Sequence, residues 1–325
     1  MIPRTGVRLA AAVLLAALAA AGATAAERQK FTLAALRRDG VIIPFASFDG
    51  RAWSAHWPVS DIGVTLPISL ADIPKKWWGP QGPDAPWTAR FPEGETRPLT
   101  LKNPVHAKVF CSGHPALATD YQGGLLDPRE PTVPKDGLAI AGDVKIDDII
   151  TVSVHAPDAK RVIDLIADDF NREEELAAGH FLNWRHPFSP DERKGYPIEL
   201  EAFYRTVEST SRGKWKTTFV EAIRRFPPRA VDRGCGLITY ARGWITEQDG
   251  KQPVFDIGAR VTYCDRAEVS FMLPLGRLHV DNDTYWVYQV SSWRDELYSV
   301  SRLRPEGVRP VVAIAGGGCP KDSLR

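Results

Sequence analysis

From Tyr196 onward, apolar and polar residues alternate in short runs, the period of a half-buried strand. IELEAFYR opens the series, and a turn at Ser211-Arg212-Gly213 leads to KWKTTFVEAIRRF. A long hairpin follows, running from Cys235 to Cys264 around Asp249-Gly250. Then come EVSFMLPLG, TYWVYQVSSW, ELYSVSRLR and VRPVVAIAG, separated by short polar turns. This order predicts an antiparallel meander, whose sheet must curl or pack on another element.

Upstream the period lengthens once. Val162, Ile163, Ile166 and Phe170 recur at helical spacing behind Pro157, and Gly179 offers a stop. They predict a helix near 157–178. Its NREEE run reads as a solvated face.

The first third has a different texture. Asp-Gly pairs at 39–40 and 49–50 are turn signals between apolar runs. Val41–Phe48 and Arg51–Trp57 read as a hairpin, with Pro44 marking an edge or a bulge. Lys75–Arg97 is too proline-rich for a long regular element and reads as a loop with its tryptophans folded back. Pro98–Leu101 and Val105–Ser112 read as strands, Pro128–Asp136 as a linker, and Gly137–Val154 as one or two further strands.

The chain therefore reads as mainly β, at the margin of α+β. A smaller Trp/Pro-rich module spans 27–134. A helix plus an antiparallel, sandwich-like meander spans 135–325, separate from the first module or packed with it as one body.

Residues 1–26 stand apart. Arg4 and Arg8 precede an apolar run from Leu9 to Ala23, and Ala23–Ala26 supply small residues for cleavage. That is the form of a secretory signal peptide, which puts the mature start near Glu27 and the protein in the periplasm or outside the cell. The run is short for a membrane span, and no cysteine follows it to carry a lipid. No later segment approaches span length without charge, so the mature chain is expected to be soluble. The strands do not sort polar residues cleanly to one side, which argues against an outer-membrane barrel.

Forty-one basic and forty acidic residues nearly cancel, so nothing points to nucleic acid. Ten tryptophans, 26 prolines and 26 glycines favour short strands and frequent turns.

Export makes disulfides available. Centring the long hairpin on Asp249-Gly250 sets Trp244 opposite Phe255, Ile238 opposite Val261 and Tyr240 opposite Ala259, all on a core side. The same register sets Cys235 opposite Cys264, within disulfide reach. A four-residue loop, Gln248–Lys251, keeps Pro253 out of a hydrogen-bonding position. Cys111 and Cys319 then complete the set and tie the C-terminus to the strand near residue 110.

Candidate chemistry is sparse. CSGHPALATDY gathers Cys111, Ser112, His114 and Asp120, the residue types of a nucleophile, its base and an orienting acid. A disulfide at Cys111 would remove the thiolate, and no G-x-S-x-G elbow supports Ser112. No metal motif or nucleotide loop is visible, so no metal or cofactor is expected; His180 and His186 read as a helix-end and a turn histidine, and HVDNDTYW, with Asp281 and Asp283, as a polar turn. Trp53, Trp57, Trp77, Trp78 and Trp87 fall within a short span. Most read as core, with one of the adjacent Trp77 and Trp78 the best candidate for an exposed aromatic that meets a ligand. The leading expectation is an exported, non-catalytic binding or envelope-structural protein using an aromatic surface. Its partner would be an extracellular glycan or peptide. The alternative is a hydrolase acting on either.

Overall fold

The computed structural model describes residues 29–59, 64–127, 132–180, 186–210, 213–228 and 235–319. The expected signal peptide and the Ser211-Arg212 turn lie outside them. Among the described residues the chain is mainly antiparallel β with one long helix.

Three sheets stack. The first holds β1 (Phe31–Arg37), β2 (Val41–Phe48), β3 (Trp53–Ser54), β4 (Trp87–Arg90), β5 (Thr96–Leu99), β6 (Leu101–Val109), β7 (Ser112–Thr119) and β8 (Lys135–Gly142). Its order is β5-β4-β8-β1-β2-β7-β6, with β3 on β2. β9 (Ile146–Asp147) and β10 (Ile150–Thr151) lead to α1 (Ala159–His180) and the short α2 (Pro190–Lys194). The outer sheet adds β11 (Glu199–Thr210), β12 (Gly213–Arg225), β13 (Leu237–Gln248) and β14 (Val254–Tyr263), in the order β10-β11-β12-β13-β14. The middle sheet takes β15 (Ser270–Val280), β16 (Asp283–Ser292), β17 (Asp295–Arg304) and β18 (Gly307–Gly318), in the order β18-β17-β16-β15-β9.

Both faces of the middle sheet are buried. On β16, Tyr285 and Val287 pack toward the first sheet, while Trp286 and Tyr288 pack toward the outer one. β15 divides itself differently. A bulge between Pro274 and Gly276 inserts Leu275. Met272 then joins the outer cluster, and Leu278 and Val280 join the inner one. An extra residue reverses which face later side chains meet.

The far face of the outer sheet lies under α1, where Val162, Ile166 and Phe170 meet Val220, Ala241 and Ile245. The buried stripe of this helix runs 162, 166, 170, 174 and 178. Glu174 falls within it, so the NREEE run is not simply a solvated face. Its carboxylate is 2% exposed and pairs with Arg224 of β12 and with Arg193 of α2. Gly179, expected to stop the helix, lies inside it.

Three further readings can be placed on the fold. Pro44 does sit beside a bulge, between the pairs Leu33–Ala46 and Ala34–Pro44. The predicted strand Val105–Ser112 breaks at a turn, where Phe110 has φ 52°. The proposed boundary at 134/135 falls just before β8, which pairs with β1 and β4. The first sheet thus draws on both sides of that boundary.

The long hairpin is slipped by one residue from the expected register. Trp244 stands opposite Asp256, Tyr240 opposite Arg260 and Ile238 opposite Thr262. Both faces of β13 are buried, Ala241 and Ile245 beneath α1 and Trp244 against the middle sheet. A one-sided core was therefore the wrong criterion for choosing the register. Cys235 and Cys264 are still bonded, with Cα atoms 5.7 Å apart. Strand pairing ends at Leu237–Tyr263, and Gly236, at φ 59°, bends Cys235 back toward its partner. A side chain on Gly236 would strike the Phe226 carbonyl. Cys111 and Cys319 form the second disulfide, tying the β6–β7 turn to the end of β18.

Candidate binding cleft between the outer and middle sheets

The residues singled out in the N-terminal half do not converge. Cys111 is bonded to Cys319, so it carries no thiolate. His114 is 1% exposed, with Nδ1 3.0 Å from the Pro115 carbonyl. Asp120 follows the end of the same strand, about 20 Å further on at the usual strand rise. Its carboxylate accepts the Thr100 N–H at 2.9 Å, and that bond holds it below the usual range. This is a pinned strand end, not an acid behind a base.

One of the adjacent Trp77 and Trp78 was the expected exposed aromatic. They lie on a tight 3-10 turn, Lys75–Trp77 and its cap, and both meet Trp57, at ring-centroid distances of 5.3 and 5.9 Å. Trp78 is 3% exposed and Trp77 is partly buried. With Trp57 and Trp87 they cover the far face of the first sheet over Ala34, Ile42 and Leu117. Trp53 lies on the opposite side, against Phe31 and Tyr285.

The remaining polar candidates are also structural. Asp283, at the start of β16, pairs with Arg304 at the end of β17 at 3.1 Å. His180 lies with Nδ1 2.8 Å from the Leu176 carbonyl, and His186 sits edge-on to Phe226. Residues 181–185 between them are outside the described set.

Buried charges tie each layer to the next. Lys135 meets Glu296 at 2.6 Å, and Gln289 and Tyr298 donate to the same carboxylate, joining the first sheet to the middle one. Burial pulls the Lys135 ammonium below its ordinary pKa. Glu208 of β11 accepts from Thr284 and Arg277, joining the outer and middle sheets. A further cluster, around Glu221, differs because it backs onto an open cleft.

Register builds that cleft in rows. Phe219, Trp244 and Asp256 form one row across β12, β13 and β14; Glu221, Arg242 and Gly258 form the next; Ile223, Tyr240 and Arg260 form the third. Ser270 and Met272 of β15, with Tyr288 and Val290 of β16, overhang them. Between lies a space of about 370 Å³, within the range of small-ligand sites. Gly258 leaves the gap in the floor, since a Cβ there would meet nothing within 4 Å. Trp244 forms the deep wall, edge-on to Phe219 at 4.9 Å and to Trp286 at 5.0 Å.

The electrostatics of this row are uneven. Glu221 is 3% exposed, and its Oε1 accepts the Met272 N–H at 2.7 Å. Burial pushes its pKa up to about 7, against the opposing pull of that bond, the Tyr240 hydroxyl and Arg242. Burial also raises the Tyr240 phenol, helped by the Glu221 charge; its hydroxyl donates to the Ser270 carbonyl at 3.1 Å. Arg242 donates to that same carbonyl at 3.2 Å. Arg260 is paired with Glu268. Asp256 is exposed and makes no ion pair with any described residue.

The signal for this site was present as Tyr240, Arg242 and Trp244 at alternate positions. In the expected register, Asp256 and Arg260 stood on the face opposite Tyr240 and Trp244. The observed slip brings all five to one face. No family model matches the chain, and no curated protein or solved structure matches it either.

Proposed function

We propose that this is a non-catalytic binding protein of an oxidising compartment, and that the cleft between the outer and middle sheets holds its ligand. The reading rests on one observation: a sheet face bearing Trp244, Arg242 and the exposed Asp256 is left open where Gly258 supplies no side chain. Aromatic walls with a few placed charges suit a glycan or an extended peptide. The N-terminal sequence and the two disulfides support export. The aromatic surface of this proposal is Trp244 with Tyr288, in place of Trp77 and Trp78, which pack on Trp57. Filling the gap tests it: Gly258→Leu is expected to abolish capture of peptides or oligosaccharides that the wild type retains, with unfolding unchanged.

A hydrolase is the second reading, favoured by Glu221, whose pKa of about 7 suits a general acid. Its oxygens are engaged by the Met272 N–H and Tyr240, behind Arg242, which speaks for a structural role. Glu221→Gln separates the two. Binding predicts unchanged capture; hydrolysis predicts loss of turnover of a substrate that the wild type cleaves.

A further inference from the structure

Among the described strands, β5 and β6 end the first sheet, β10 and β14 the outer one, and β18 and β9 the middle one. An exposed edge presents backbone N–H and C=O groups that can bond another chain, and short strands, prolines and bulges blunt it. β9 and β10 hold two residues each, and Pro98, Pro104 and Pro310 stand in β5, β6 and β18. β14 has none of these protections. It runs ten residues without a proline, in unbroken register with β13. The open spaces beside it share Ala259, Arg260 and Glu268, so solvent wraps round the strand there. Val254 at its start and Trp293 near its end are 39% and 45% exposed and leave apolar surface at the same edge.

Backbone directions follow from the neighbouring strands. The Phe226 N–H donates to the Leu237 carbonyl, so Leu237 turns its backbone groups toward β12. These groups alternate along a strand. Even-numbered residues of β13 therefore turn toward β14 and meet even-numbered partners, as Arg242 meets Gly258. That leaves the N–H and C=O groups of Phe255, Ile257, Ala259 and Val261 on the free side. β14 carries one acid and one base, Asp256 and Arg260, placed symmetrically about Gly258 and both exposed. Laid antiparallel on itself with Gly258 at a two-fold axis, the strand sets Phe255 opposite Val261 and Ile257 opposite Ala259. Those are the pairs whose backbone groups point outward. Asp256 then meets the partner's Arg260 on each side of the axis, an opposite-charge cross-strand pair. Moving the axis to Ile257 or Ala259 would set Asp256 opposite Gly258 or Thr262 and lose both contacts. We infer that β14 is a dimerisation edge, on which a second copy of this chain pairs antiparallel about Gly258 to make one continuous outer sheet. Arg260 then lies between its own Glu268 and the partner's Asp256. Asp256 and Arg260 also line the cleft, so the partner's two charges come to border it. The edge pairs whether or not the cleft holds a ligand.

The test is sedimentation of the full mature chain without ligand, which should show a dimer that dissociates on dilution. Asp256→Arg and Arg260→Asp each set like charges opposite one another at both contacts and should weaken the dimer at least about tenfold. Both side chains are exposed, so both variants should fold. An equimolar mixture of the two should dimerise again, because every arginine then faces an acid. Opposed residues at the axis have Cα atoms about 4.5 Å apart, within disulfide reach. Gly258→Cys should therefore oxidise to a covalent dimer, and Asp256→Cys, two residues off the axis, should not. A chain that stays monomeric up to about 100 μM overturns the inference and leaves the cleft reading standing. A dimer that both charge variants retain, and that Gly258→Cys does not cross-link, forms through another surface and also overturns it. Cross-linking of Asp256→Cys in place of Gly258→Cys would overturn the register.

Discussion

Two aromatic surfaces of this molecule meet opposite fates. Trp57, Trp78 and Trp87 lie on the far face of the first sheet, and Trp244 lies on the inner face of the outer sheet. The first surface is covered by its own neighbours in sequence, since the loop that carries Trp77 and Trp78 folds down onto it. The second is covered by strands from farther along the chain, β15 and β16, which leave the row of Arg242 and Gly258 open at one end. Aromatic density marks a surface that must be covered. Whether a cleft remains depends on where the cover comes from.

The comparison can be broken by stability measurements, beginning with the covalent ties of each region. Cys111–Cys319 closes a separation of 208 residues and joins the first sheet to the middle one, whereas Cys235–Cys264 closes 29 within one hairpin. Loop-closure entropy predicts losses of about 5 and about 3.5 kcal/mol for the respective Cys→Ser pairs in equilibrium denaturation. The reverse order would mean that the first sheet does not depend on its tie to the middle one. Between these two falls Trp78→Ala, expected to cost about 4 kcal/mol while leaving ligand capture intact under folding conditions. Trp244→Ala should abolish capture. A Trp78→Ala protein with undiminished stability would show that the N-terminal tryptophans are not core.

pH sharpens the contrast. The folded Glu221 binds its proton up to about pH 7, against an ordinary value of 4.5. Between these values the folded state holds more protons than the unfolded one, so stability falls as pH rises. Burying this acid therefore costs nothing below pH 4.5, and the penalty grows to about 3 kcal/mol above pH 7. Urea midpoints from pH 4.5 to 8 should carry this decline in the wild type and lose it in Glu221→Gln. An unchanged slope would place the titrating group elsewhere. The smallest effect belongs to Asp256→Asn. It is exposed, so stability should move by less than about 0.5 kcal/mol.

Much of the fold was legible because its strands are local. The meander from β11 to β18 follows the alternation and the polar turns, and α1 follows its four-residue stripe. What escaped was set by layering. Trp244 and Ile245 are both buried, so alternation could not fix the β13–β14 register. Glu174 looked solvated because the two arginines that neutralise it, Arg193 and Arg224, lie 19 and 50 residues away on other elements. The cleft was illegible for the same reason: it exists only where residues 219–260 meet residues 270–290. His114 and Asp120 looked like partners because they are close in sequence, but an extended strand carries them apart.

The central claim is that the ligand site lies in this cleft and not on the N-terminal tryptophans. The most direct measurement compares wild type, Gly258→Leu and Trp77→Ala by titration with extended peptides and with oligosaccharides. The account predicts that Gly258→Leu loses binding while Trp77→Ala keeps it. Binding that survives in Gly258→Leu and disappears in Trp77→Ala would contradict it.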